Sequence, residues 1–156
     1  MEKQKTESGD VPDQQAVRTW YKGLLDRVVR EMLKSGAVQG AAVEARPVWV
    51  YPEQVLIARV WSAAQKSQFI WAIAGEGVVI DHIAGSLAAD AREAAKHFSL
   101  KWQMDADRLV RTVREKPALG HAVAQIEEYS KKLVAGAEML YRLTEREDIW
   151  KHKLPA

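Results

Sequence analysis

The sequence predicts an α+β fold: an N-terminal helix, an antiparallel sheet of three or four strands, and a C-terminal antiparallel helical hairpin. Three observations carry this. Apolar residues recur at helical spacing in the first and last thirds of the chain. The middle third is a series of short segments rich in Val, Ile and Trp, separated by turn residues. The connections between those segments are too short for the crossovers that parallel strands need. At 156 residues, 47% hydrophobic, the chain has the size of one domain and buries about two-thirds of its unfolded surface.

The first helix is expected to open at Asp10, whose carboxylate is placed to accept the amide of Asp13. Val17, Trp20, Tyr21, Leu24, Leu25, Val28 and Met32 then form a stripe at i, i+3, i+4 and i+7. Lys34 and Gly36 supply a cationic last turn and a left-handed cap. Four strands are expected next. The first lies between Pro47 and Pro52, on an edge or entered late because proline cannot donate to a ladder. The second runs from Val55 to Trp61. The third, from Phe69 to Ala74, is apolar on both parities and therefore central. A weaker fourth runs from Val78 to Ile83 after a tight turn at Gly75-Glu76-Gly77.

Ser86 or Asp90 caps the next helix, with the stripe Leu87, Ala91, Ala94, Ala95, Phe98, Trp102, Ala106, Leu109 and Val113. Pro117 breaks it. A second stripe follows: Leu119, Ala122, Val123, Ile126, Tyr129, Leu133, Ala137, Leu140, Tyr141 and Thr144. Residues 1–10 are expected to be disordered and residues 11–156 to form a single domain. Within it, 11–115 is the core, 118–148 an appended long helix and 149–156 a tail.

The opening helix, the Arg46-Pro47-Val48-Trp49 segment, the tryptophan-bearing hairpin from Val55 to Ala74, and Ala91-Arg92-Glu93-Ala94 running into Lys101-Trp102-Gln103 are similar to those of a small uncharacterised bacterial family, a domain of unknown function. The resemblance covers residues 20–104, just over half the chain. It implies a small bacterial α+β domain, carries no activity or catalytic residue with it, and leaves the hairpin after Pro117 as an addition to the pattern.

Composition narrows the function classes. Lys plus Arg is 23 against Asp plus Glu 21, a net charge of +2, which excludes a supercharged nucleic-acid arm. The sequence has no cysteine, which excludes a disulfide scaffold, a thiol nucleophile, a zinc ribbon and an iron–sulfur site. No apolar run follows the charged first ten residues, and the longest, near Phe69 to Ala74, is far short of the roughly 20 residues that span a bilayer. A cytoplasmic protein without a membrane segment or a cofactor is expected.

The candidate functional residues fall into three groups. Asp81 and His82 end the fourth strand, and His97 lies on the next helix. Converging, they make a general base or a two-His, one-carboxylate metal site; the simpler reading is a loop Asp-His and a surface histidine. Arg108, Arg111 and Arg114 lead a segment, Ala91 to Lys116, with seven basic and four acidic residues. Such a stripe suits phosphates or nucleic acid, but Asp105, Asp107 and Glu115 interleave with it, as on a solvated helix face. Trp49 and Trp61 sit on strands where an open sheet face would make them an interface. Trp150 either clips back onto the body or docks into a partner. Gly75-Glu76-Gly77 lacks the third glycine and the following helix of a dinucleotide loop, and the Glu127-Glu128 pair lies on a polar helix face.

With no catalytic constellation in the sequence, the expected role is that of a non-enzymatic interaction module, an adaptor or immunity-type protein. Its partner is another protein or a second copy, met through the C-terminal helices. The alternatives are a small ligand binder or enzyme using Asp81, His82 and His97, and a phosphate or nucleic-acid binder using the Arg108, Arg111 and Arg114 face.

Overall fold

The computed structural model describes residues 13–116, 120, 122–151 and 154. Helix α1 (Gln14–Ser35) is followed by strands β1 (Val43–Tyr51), β2 (Val55–Ser62), β3 (Ile70–Gly75) and β4 (Asp81–Ala84). A single 3-10 turn at Gly85–Leu87 leads into helices α2 (Ala91–Glu115) and α3 (Ala122–Thr144). The strands form one antiparallel sheet in the order β1-β2-β3-β4. The chain is α+β, with α1 on one face of the sheet and the α2–α3 pair on the other.

Alternation along the strands sorts the two cores. Leu56, Val60, Ala72 and Ala74 face α1 and meet Val17, Tyr21, Leu24, Val28 and Met32. Val55, Ile57, Trp71 and Ile73 face the opposite way, onto Phe98, Trp102, Leu133, Ala137 and Leu140. Trp71 and Trp102 are fully buried, and the Trp71 indole N–H donates to the Ala88 carbonyl at 3.0 Å. β3 is an interior strand, as the apolar run over Phe69 to Ala74 predicts, and β2 is interior beside it.

The helix caps follow local chemistry. α1 ends at Gly36, φ 81°, in the left-handed region that glycine adopts without penalty. Its N-cap is Asp13, whose carboxylate accepts from the Gln15 amide at 3.1 Å; the expected cap Asp10 lies outside the described residues. Asp90, not Ser86, caps α2, accepting from the Glu93 amide at 2.9 Å. The Glu93 carboxylate returns to the Ala89 amide at 2.9 Å, which completes a reciprocal capping arrangement.

Several boundaries differ from those predicted. β1 starts at Val43 rather than Pro47, because the small and charged residues before Pro47 still pair along β2. Pro47 is tolerated on this edge strand beside a bulge between Pro47 and Trp49. The bulge shifts parity, so Arg46, opposite Arg59, and Trp49, opposite Ile57, share the α2 side of the sheet. β4 begins at Asp81 rather than Val78: Val78 drops into the core with α3, taking the backbone out of the ladder. The tight turn expected at Gly75-Glu76-Gly77 is accordingly a five-residue connection.

The stripes also shift. Leu87, Tyr129 and Tyr141 are about half exposed, while Ser130, Gly136 and Leu143 turn inward. A close antiparallel seam explains this. The Ser99 hydroxyl donates to the Ala137 carbonyl at 2.9 Å and the Ser130 hydroxyl to the Ala106 carbonyl at 3.3 Å, so small residues occupy the contact and Tyr141 moves to its rim. Leu119 of the second stripe lies outside the described residues. No helix among the described residues is long and apolar enough to cross a membrane.

Candidate functional site

Asp81 and His82 are adjacent on β4 and therefore point to opposite faces of the sheet. Asp81, opposite Ile73, faces α2; His82, opposite Ala72, lies on the α1 side. His97 is exposed on α2. The convergence of Asp81, His82 and His97 that the alternative reading requires therefore does not form, and His97 takes the surface position of the simpler reading. Among the described residues no three His, Asp or Glu side chains gather as a metal site.

Asp81 has a different task. One carboxylate oxygen accepts from the buried Trp102 indole at 2.8 Å and from the Lys101 ammonium at 2.7 Å. The other accepts from the His82 amide at 2.8 Å. Lys101 also reaches Asp105 at 3.3 Å. Burial acts to lower the Lys101 pKa, but hydrogen bonds to and charges on Asp81 and Asp105 outweigh it, holding the ammonium above the ordinary lysine value. The cluster ties the short edge strand β4 to the middle of α2.

The arginine stripe is partly neutralised within α2. Arg108 pairs with Asp105 at 3.2 Å and Arg111 with Asp107 at 3.0 Å, each one turn earlier. Arg114 is exposed on the last turn. These spacings produce a solvated helix face rather than an open row of cations.

Trp49 is not an exposed anchor. It is 3% accessible, its indole donates to the Ile149 carbonyl at 2.9 Å, and its ring stacks on Trp150 at 3.8 Å between centroids. The Trp150 indole donates to the Leu143 carbonyl at 2.8 Å. Of the two readings of Trp150, the structure displays the clip: the residues after α3 fold back over β1, and Arg146 reaches the Tyr51 hydroxyl at 3.2 Å. Trp61 is partly exposed, and its indole donates to Glu44 Oε1 at 2.8 Å across the β1–β2 ladder.

The outer side of the helical hairpin carries surface features that the sequence did not single out. Five of the seven exposed large apolar side chains among the described residues belong to the hairpin, Leu100, Met104, Tyr129, Val134 and Tyr141, of which Met104 lies toward β4, in a hollow shared with Ile83, Leu87 and His97. A furrow follows the α2–α3 seam. Near Tyr141 it is a hollow of about 400 Å³ lined by Lys96, Ser99, Leu100, Gln103, Thr144 and Glu145. It continues past Gln103 as a hollow of about 310 Å³ with Ala106, Asp107, Val110, Ser130 and Val134. A smaller pocket of about 140 Å³ at Val113, Arg114, Ile126 and Glu127 extends it toward the hairpin tip. Amphipathic periodicity flags Leu100, Met104 and Val134 as off-stripe apolar residues, and this was the available signal.

Neither a curated protein nor a solved structure matches the chain. One family model does, over residues 14–150, a stretch that runs from α1 through β4 and both C-terminal helices to Trp150. On that match the chain belongs to the family described as a domain of unknown function, DUF4826.

Proposed function

We propose that this chain is a non-enzymatic protein-interaction module that pairs with a second copy of itself through the outer furrow of the α2–α3 hairpin. The observation that carries this reading is the concentration of exposed large apolar side chains on that hairpin, three of which, Leu100, Val134 and Tyr141, line the seam between its helices. A furrow between two antiparallel helices is the surface on which further helices pack in a bundle. Two copies placed seam to seam complete four helices about a two-fold axis.

The charges along the furrow favour a second copy over a partner of one sign. Lys96 and Glu145 flank one end, Asp107 the middle, and Arg114 and Glu127 the other. In an antiparallel two-fold pairing each end presents a cation and an anion to the other copy, and Asp107, near the axis, is already paired with Arg111 of its own helix; a strongly acidic or basic partner meets a like charge at both ends. Trp49 and Trp150 satisfy each other and take no part in this argument.

The test is the mass in solution across a concentration series, by light scattering on a sizing column. A dimer is expected, with Val134→Asp and Tyr141→Asp shifting it to monomer while leaving the helical signal intact. A native chain that stays monomeric over the series overturns the reading, as does a dimer indifferent to both substitutions.

A further inference from the structure

On the α2 side of the sheet, one same-face pair beyond Trp49–Ile57 toward the end of the ladder that carries Trp61, Arg46 on β1 and Arg59 on β2 stand directly opposite each other. Side chains so placed start about 5 Å apart on one face, where like charges repel, and the Arg59 head leans away from β1 toward β3, which carries Trp71. Among the described residues neither arginine forms an ion pair with a carboxylate. Arg59 lies across two rings, its guanidinium carbon 4.7 Å from the Phe69 centroid and 4.9 Å from the Trp71 centroid. Its Nε is buried without a hydrogen-bond partner. The rings hold the guanidinium in place but offer it no acceptor oxygen. Two residues along β2, and so about 7 Å away on the same face, the partly exposed Trp61 has its indole N–H tied to Glu44.

We infer that this end of the sheet binds a phosphate monoester carrying a flat ring, with the phosphate between Arg46 and Arg59 and the ring against Trp61. Two unneutralised guanidinium groups match a group that carries close to two negative charges at neutral pH, where a carboxylate carries one. The planar donor fork of arginine fits phosphate oxygens two at a time. Glu44 sets the polarity: its carboxylate sits beside Trp61 and drives the anionic end of a ligand toward the arginines. The site is separate from the hairpin furrow and stands or falls independently of it.

The probe is phenyl phosphate, titrated into the full chain and followed by calorimetry and by tryptophan emission. Saturable binding is expected, about tenfold tighter than for inorganic phosphate, because ring stacking adds to the charge contact. Arg46→Ala, at an exposed position, is expected to weaken it about tenfold or more. Arg59→Lys keeps the charge and loses the fork, and a comparable loss is expected. Trp61→Phe is expected to remove most of the emission change while the calorimetric signal persists. Phenyl phosphate binding no tighter than inorganic phosphate overturns the placement of the ring. No binding, or equal binding to the native chain, Arg46→Ala and Arg59→Lys, overturns the site. Arg46→Ala decides the matter should Arg59→Lys unfold.

Discussion

At the residue scale, Asp81 exchanges catalytic promise for a mechanical role. A carboxylate beside a histidine reads as a base, but its acceptor capacity is taken by Trp102, Lys101 and the His82 amide. Asp81→Ala leaves the buried Trp102 indole without an acceptor, a loss expected to cost about 1–3 kcal/mol. Asp81→Asn, which keeps an acceptor oxygen, is expected to cost less. Urea denaturation of both variants checks the order, and equal losses would tie the effect to charge rather than to the indole bond. Lys101 adds a pH dependence with a definite sign. Its folded pKa is raised, so its contribution is present below the unfolded lysine value, about 10.4, and is lost as pH climbs through the folded one. Lys101→Met is expected to flatten the stability curve in that alkaline window and to leave its shape near neutrality unchanged.

At the scale of elements, the same residue type has opposite consequences by position. Gly23 sits inside α1, and a Cβ there meets nothing within 4 Å. Gly23→Ala is therefore expected to stabilise the protein by about 0.5–1 kcal/mol through helix propensity. At Gly75, the last residue of β3, an added Cβ would collide with the Gln54 carbonyl oxygen. Gly75→Ala must displace backbone at the β2–β3 contact and is expected to cost more than Gly23→Ala gains. Thermal midpoints measured side by side test both. The segment after α3 behaves as a clasp, its Trp150 ring laid on Trp49 and its backbone carbonyl at Ile149 closing the Trp49 indole. Trp150→Ala is expected to cost on the order of 2 kcal/mol and to expose Trp49, read as a red shift in emission. An unshifted spectrum would mean that other groups cover Trp49.

For the whole molecule, the sheet is the middle layer and neither helical layer is dispensable. α3 contributes Leu133, Ala137, Leu140 and Leu143 to the same core as Trp71 and Trp102, and the family match runs through it to Trp150. A chain ending at residue 116 is therefore expected to lose cooperative unfolding and near-ultraviolet dichroism, since a removed layer leaves large apolar surface in water. A sharp transition in that truncated chain would assign the core chiefly to α1, the sheet and α2. The hairpin then has two roles: its inner side closes the fold, and its outer furrow is the surface proposed for pairing.

Much of this architecture was legible in the amino-acid order because it depends on local periodicity. Stripes at 3.6 spacing marked all three helices, a run apolar on both parities marked β3 as interior, and Gly36 marked the end of α1. The candidate sites were not legible, for they depend on which face a residue takes and what lies across from it. Neighbouring positions put Asp81 and His82 side by side in the sequence, and the pleat sends them to opposite sides of the sheet. A bulge at Pro47 turns Trp49 into the core and brings Arg46 onto the same face. The register of β1 on β2 then sets Arg46 against Arg59, 13 positions apart in the chain. Periodicity is a short-range property of the chain, and the sequence by itself determined the elements; register, bulge and seam come from packing between distant segments, and only the tertiary structure decided them.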